Sequence, residues 1–313
     1  GGDLTYKNVL LGLESATRDL SRAWGLVSHL DAVLNSDELR KAYNVLLPDV
    51  TAFFTAMTLD AQLWSVLKAY AATDDAKSLT GVRRRFLQET LADFQENGAD
   101  LAPQQKERLA AINEALAQKT QKYSENVLDS TNAWEHFIED EKQLAGLPAS
   151  SLAAAKQSAS SKNRANAWRF TLQAPSVMPI LQYADSADLR QLCWESLGEV
   201  GLKGAWDNTA LVGEILALRN EKARLLGKKH FADVTTARRM ARTGETALKF
   251  VEDLATRTKP YFARDIDELT NFRHRHEPAS GGLFQPWDVA YWSEKLRKEN
   301  YDFDEEEVRP YFA

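Results

Sequence analysis

The chain carries five histidines, His29, His136, His230, His274 and His276, and one cysteine, Cys193. These residue types most readily ligate transition metals or serve as nucleophile and base. A helical zinc-hydrolase site needs two histidines one turn apart with a glutamate after the first, and no His-Glu-x-x-His occurs. The one local cluster is His274-Arg275-His276-Glu277, ahead of Pro278. An H-x-H pair ligates metal from a strand, but this one lies in a polar stretch, where a solvated helix end with its cations on the negative pole of the dipole is the simpler reading. Cys193 sits in Leu189-Arg190-Gln191-Leu192-Cys193-Trp194 and reads as part of a packed helix face. There is no Gly-x-Ser-x-Gly and no glycine-rich phosphate loop. Carboxylates are plentiful, with an acidic run at Asp302, Asp304, Glu305, Glu306 and Glu307. Such a run reads as a solvated face or a helix start, and no glycosidase pair stands out from it. The one basic triplet, Arg83-Arg84-Arg85, reads as a helix face with Arg85 set to pair with Glu89 four residues on.

These residues have to be positioned by helices. Apolar residues step by three and four along most of the chain. Val9, Leu13, Ala16, Leu20, Trp24 and Val27 mark a first helix; Leu59, Leu63, Val66, Leu67 and Tyr70 a second; Phe86, Leu87, Leu91 and Phe94 a third, which Gly98 can end. Pro103 suits a first helical turn, ahead of a stripe through Leu109, Ile112, Leu116, Tyr123 and Val127. A further helix spans 208–226, with Asp207 or Asn208 as its cap and Gly227 as its stop. Another runs from Leu248 to Leu269, with Pro260 kinking or interrupting it. Trp168, Phe170 and Leu172 alternate with polar residues as a short strand, with 134–140 as its candidate partner. Between them 144–167 reads as an exposed excursion with one helix near 149–160. The expectation is an all-α fold of long antiparallel helices with a minor hairpin-like β element. Its regions would be 1–140, 141–174 and 175–313.

Composition agrees. The 313 residues are 44% hydrophobic, enough for a sizeable core, and glycine and proline are sparse at 15 and 9. The net charge of −6 argues against a nucleic-acid partner. No apolar run approaches the roughly 18 residues of a membrane span, and none reads as a signal peptide. A single cysteine excludes an internal disulfide and fits a reducing, cytoplasmic setting. The chain opens Gly1-Gly2-Asp3 without methionine, as a processed or cloned start would.

Six stretches, in order, resemble one family, the thimet oligopeptidase and oligopeptidase A zinc metallopeptidases, with the likeness strongest to the bacterial oligopeptidase A branch. They are 27–43, with its Ser28-His29-Leu30, Asn35-Ser36 and Glu38-Leu39-Arg40; Tyr123-Ser-Glu-Asn-Val-Leu-Asp129; Leu144-Ala-Gly-Leu-Pro148; Ile215 to Gly227, with Arg219 and Leu225-Leu226-Gly227; Pro286-Trp-Asp-Val-Ala-Tyr291 with Ser293-Glu-Lys295; and Arg309-Pro-Tyr-Phe312. Lys228 and Trp292 stand where the family has aromatic and tyrosine residues. The resemblance implies the amino-terminal half of a neurolysin-like, mostly helical enzyme that hydrolyses short unfolded peptides in a narrow channel. The family's zinc ligands, an H-E-x-x-H helix and a further glutamate, would lie beyond residue 313, and the first few dozen residues of the family would be missing. On that footing this chain is one wall of the channel and inactive alone. Its partners are short peptides and the catalytic half, and it self-associates through the bared inter-half face. A stand-alone helical peptide-binding or scaffold protein is the alternative. The aromatic end, Val308 to Phe312, reads as an interior stretch and favours the first view.

Among the matched residues, Trp287, Asp288, Tyr291 and Arg219 are the candidates for the channel. Trp287 and Tyr291 offer amphipathic surface for a peptide, yet Asp288 as the cap of a helix starting near Val289 is the favoured, structural reading. Arg219, inside an apolar helix, would pair with a buried carboxylate or, more sharply, with a peptide carboxyl terminus. His29 reads as a satisfied core histidine, and Asn126 and Asp129 as capping or inter-helix hydrogen bonders.

Overall fold

The computed structural model describes residues 3–278, 282–302, 305–308 and 311. Among the described residues the chain is mostly helical, with one small sheet. After a π turn at Lys7–Leu11 come α1 (Gly12–Val33), α2 (Asp37–Leu59), α3 (Ala61–Ala71), α4 (Asp74–Ser78), α5 (Gly81–Glu96) and α6 (Pro103–Ala133). Then follow β1 (Glu135–Ile138), α7 (Ala149–Ser160), β2 (Trp168–Thr171), α8 (Ala174–Tyr183) and α9 (Ala187–Gly198). The rest is α10 (Thr209–Leu225), α11 (Phe231–Thr236), α12 (Gly244–His276), α13 (Val289–Tyr301) and a last short helix, α14 (Glu305–Val308). Contacts divide the chain into two interleaved units, 1–122 with 210–248, and 123–209 with 249–313. This differs from the three consecutive regions expected from sequence, because α6, α10 and α12 each carry the chain from one unit into the other.

The core of the first unit is built from Leu10, Trp64, Leu67, Tyr70, Leu87 and Phe94. Caps set its breaks. The stripe Leu59 to Tyr70, expected as one helix, is divided at Asp60, whose Oδ1 accepts from Leu63 N at 2.6 Å. Lys106 Nζ meanwhile donates to the terminal carbonyl of Leu59 at 2.9 Å. The α1–α2 turn uses the matched Asn35 and Ser36: Asn35 accepts from Arg40 Nε at 3.1 Å and Ser36 Oγ from Leu39 N at 3.2 Å. His29 is exposed on α1, not in the core as expected, because it falls off the apolar stripe of that helix. Gly98, at φ +93°, ends the α5 segment. Its missing side chain leaves room for Leu101 and Leu109, which an added Cβ would meet at 2.8 and 2.7 Å. Arg108 pairs with Glu221 at 2.6 Å and Lys119 with Glu214, so α6 and α10 run antiparallel as expected. Arg85 pairs with Glu89 at 3.8 Å, also as expected. Asp207 Oδ1, not Asn208, caps α10, accepting from Thr209 N at 2.8 Å.

In the second unit β1 and β2 pair antiparallel, Glu135 opposite Thr171 and Ile138 opposite Trp168. The two strands are separated in sequence by α7, so they do not form a tight hairpin. The 144–167 segment is only in part the exposed excursion expected: 161–166 are exposed, but Leu144, Leu147, Ala155 and Ala159 are buried, the first three in one core with Phe170, Ile180 and Cys193. Its alanines and serines look solvated by composition, but small side chains are what let α7 lie close on the strand. Pro260 does not interrupt α12, which is continuous from Gly244 to His276. Arg309, Pro310 and Phe312 of the last matched stretch, with Asp304 of the acidic run, lie outside the described residues. No single described helix is long and apolar enough to cross a membrane. The bent pair α2–α3 reaches that length and apolarity only together, and its Trp64, Leu67 and Tyr70 are core residues.

Candidate functional site

In the second unit the start of α13 meets the end of α8 and the start of α9. Asp288 precedes α13, but its side chain makes no cap bond, contrary to expectation. It turns inward instead, to two arginines. Arg190 Nη2 donates to Asp288 Oδ1 at 2.6 Å, and Arg273 Nη1 lies 3.6 Å from Oδ2, with all three side chains less than a tenth exposed. A buried carboxylate is worth keeping charged only where cations and donors surround it, and that need outweighs a cap worth about 1 kcal/mol. Arg190 Nη1 also donates to the carbonyls of Ala184 and Asp185 at 2.6 and 3.1 Å, and its guanidinium lies 4.0 Å from the centre of the Tyr291 ring. Arg273 Nη2 donates to Gly282 O. One carboxylate therefore ties α9, α12 and α13 together.

Tyr291 extends the network. Its hydroxyl donates to Asp185 Oδ1 at 2.7 Å, and Lys295 Nζ lies 3.6 Å from the same oxygen. Burial, and then the adjacent Asp185 carboxylate, push the Tyr291 phenol well above its ordinary value. The group is a fixed hydrogen-bond donor and no base. Asp185 N in turn donates to Ala145 O at 2.9 Å. Beside it Gly146, at φ +89°, passes so close to the chain that an added Cβ would stand 2.2 Å from Tyr183 O. Two matched stretches, 144–148 and 286–291, thus meet across Asp185. A cavity of about 310 Å³ lies there, lined by Gly146, Gln182, Asp185, Tyr291, Glu294 and Lys295, among others. Its charged groups are engaged: Glu294 accepts from Arg297 at 2.6 Å and from Gln182 at 3.1 Å.

A second knot uses the matched 123–129 stretch. Asn126 Nδ2 donates to Asn208 Oδ1 at 2.8 Å, and Asn208 Nδ2 to Tyr123 O at 3.2 Å. Asn208 N donates to Gly201 O, and Gly201 N to Ser130 Oγ, pinning the glycine-rich 198–204 bend to α6.

The candidates are therefore not all brought together. Trp287 packs near Trp194, ring centres 5.9 Å apart, and joins Asp288 and Tyr291 in one cluster. Arg219 belongs to the first unit. It has no buried carboxylate partner among the described residues, against expectation, and lies over Phe231 at 5.1 Å, since α10 at that point is half exposed. Sequence reasoning missed Asp185, Arg190 and Arg273. The only signal was an arginine beside Leu189 and three residues before Cys193 on one helix face, and nothing named its partner 98 positions away. Cys193 is fully buried, and burial pushes its thiol up to about 12, which makes it unreactive. His274 and His276 end α12, with His276 Nε2 2.9 Å from Glu299. Among the described residues no group of three or more His, Cys, Asp or Glu could hold a metal ion.

Comparison with known proteins matches the sequence to a family. The family model described as Neurolysin/Thimet oligopeptidase, N-terminal domain, matches residues 3–106, and that of Peptidase family M3 matches 180–313. Oligopeptidase A of Haemophilus influenzae is 35% identical over 98% of this chain, which covers 46% of that protein. The probable cytosolic oligopeptidase A of Arabidopsis thaliana is 35% identical over 96%, with 44% of its length covered. Oligopeptidase A of Escherichia coli is 34% identical over the whole chain, with 46% covered. The chain thus spans a little less than half the length of the curated relatives it matches. An all-helical body with one two-stranded sheet, held together at its matched motifs and matched from end to end, belongs to peptidase family M3, the thimet oligopeptidase and oligopeptidase A metallopeptidases.

Proposed function

We propose that this chain is the non-catalytic part of a zinc metallo-oligopeptidase that hydrolyses short unfolded peptides in the cytoplasm, and that it forms one wall of the channel through which peptides reach the metal. The observation that carries the reading is the end-to-end match to proteins named oligopeptidase A that are more than twice its length. Zinc is the metal of the family, but the residues here do not fit it. The sequence has no His-Glu-x-x-His, and no step of hydrolysis is assigned to its side chains. The site geometry supports a structural role. Asp288 and Tyr291 are spent on internal partners, which leaves Trp287, half-buried at the edge of the cluster, and Arg219, half-buried over Phe231 on α10, as the candidate groups that could meet a peptide. The cytoplasmic placement rests on the Arabidopsis relative named as cytosolic.

The test is complementation. The chain is joined to, or co-expressed with, the unmatched remainder of an oligopeptidase A relative and assayed with quenched peptides of graded length. Chelator-sensitive cleavage confined to short peptides is expected. A correctly folded pair with no cleavage, beside peptide binding by this chain alone, would favour the stand-alone binding protein instead.

A further inference from the structure

The long helix α12 changes character along its length. Every residue from Lys249 to Asp265 is exposed, so for more than four turns the helix touches little else. Short helices without tertiary contacts are marginal in water, and their stability comes from burying an apolar face. Such a face exists. Val251, Leu254, Tyr261 and Phe262 fall on one side at helical spacing and are 58%, 49%, 60% and 67% exposed. Glu252 and Lys259 lie on the opposite side, and Arg264 borders the seam with its guanidinium 5.3 Å from the centre of the Tyr261 ring. The same stripe continues at Leu269 and Phe272, which are 7% and 1% exposed because α13 covers them. Phe272 meets Trp292 edge to face, ring centres 5.9 Å apart. One seam is therefore covered by a helix at its carboxyl end and bare over the rest, and bare apolar seams of this extent mark interfaces.

We infer that Val251, Leu254, Tyr261 and Phe262 are the docking seam for the polypeptide that makes up the other half of the relatives' length. That polypeptide supplies a helix whose aliphatic and aromatic face continues the packing that Trp292 begins. Two observations select this occupant. The seam is continuous with an interface already formed by a helix of the same fold, and more than half of each matched relative lies outside this chain. The inference rests on the reading of the chain as one part of an oligopeptidase and names the surface through which that part is completed.

The test is hydrogen exchange on amides 249–265, in the chain alone and in the chain joined to the unmatched remainder of an oligopeptidase A relative. Exchange in the joined protein is expected to slow by at least about tenfold, the scale of a locally stabilised helix. A Leu254→Glu/Tyr261→Glu pair, on exposed positions, leaves the melting of the isolated chain unchanged and abolishes that slowing. Peptidase activity of the joined protein reports separately on the functional reading. An active joined protein in which 249–265 exchanges as fast as in the isolated chain overturns the seam and leaves the function standing. Slowing in the joined protein that rises with its concentration assigns the seam to a second copy and overturns it as well.

Discussion

Asp288 shows why a matched motif residue need not be a site residue. From sequence it is an aspartate before a helix, and the natural expectation is a cap. In the fold it is, among the described residues, the one carboxylate within ion-pair distance of Arg190, so its replacement leaves buried cations behind. Asp288→Asn is expected to lower unfolding stability by about 3–5 kcal/mol. Adding Arg190→Met to it should cost far less than the same change costs alone, and urea titrations of the double-mutant cycle measure that coupling. The motif was legible, but its meaning was not, because Arg190 and Arg273 come from distant segments whose approach only the fold reveals. Cys193 gives a pH test. Its ordinary value is 9.0, and burial holds it near 12 in the folded chain. Below pH 9 both states keep the proton. Above it the unfolded chain releases the proton while the folded chain retains it, so stability falls as pH rises toward 12, by up to about 1.4 kcal/mol per pH unit. Tyr70, also pushed up to about 12 from 10.0, adds to the loss at higher pH. Cys193→Val should flatten the decline between pH 9 and 10, as followed by denaturant titrations at fixed pH.

At the scale of elements, helical periodicity and punctuation carried most of the fold. Pro103 opens α6, Gly227 follows α10, and the alternation at Trp168–Leu172 is a strand paired with the segment expected. The failures share a cause. Apolar spacing continues across a break when two helices present the same face to one core, so the division at Asp60 was invisible to periodicity and visible only as a cap. Asp60→Ala removes the acceptor for Leu63 N and is expected to cost about 1 kcal/mol, read as a shift in the denaturation midpoint at constant slope. Likewise the 144–167 segment looked solvated because alanine and serine carry little hydrophobic signal. Yet burial of Ala155 and Ala159 follows from the close approach of α7 to β2. Of the two outcomes expected at Pro260, kink or break, the break does not occur: α12 is continuous through it.

At the scale of the molecule, two interleaved units are threaded by three shared helices, and the matched motifs are concentrated where segments are fastened together. The 27–43 stretch builds the α1–α2 turn, 123–129 fixes the 198–204 bend, and 144–148 meets 286–291 at Asp185. The matched motifs described above therefore serve the architecture, and on the proposed reading the reaction chemistry comes from the other part of the enzyme. The most direct measurement is a quenched-peptide assay on the purified 313-residue chain, with zinc supplied and then removed by a chelator. The account expects no turnover above the peptide-alone rate in either condition. Zinc-dependent cleavage by this chain alone, abolished by the chelator and restored by zinc, would contradict it.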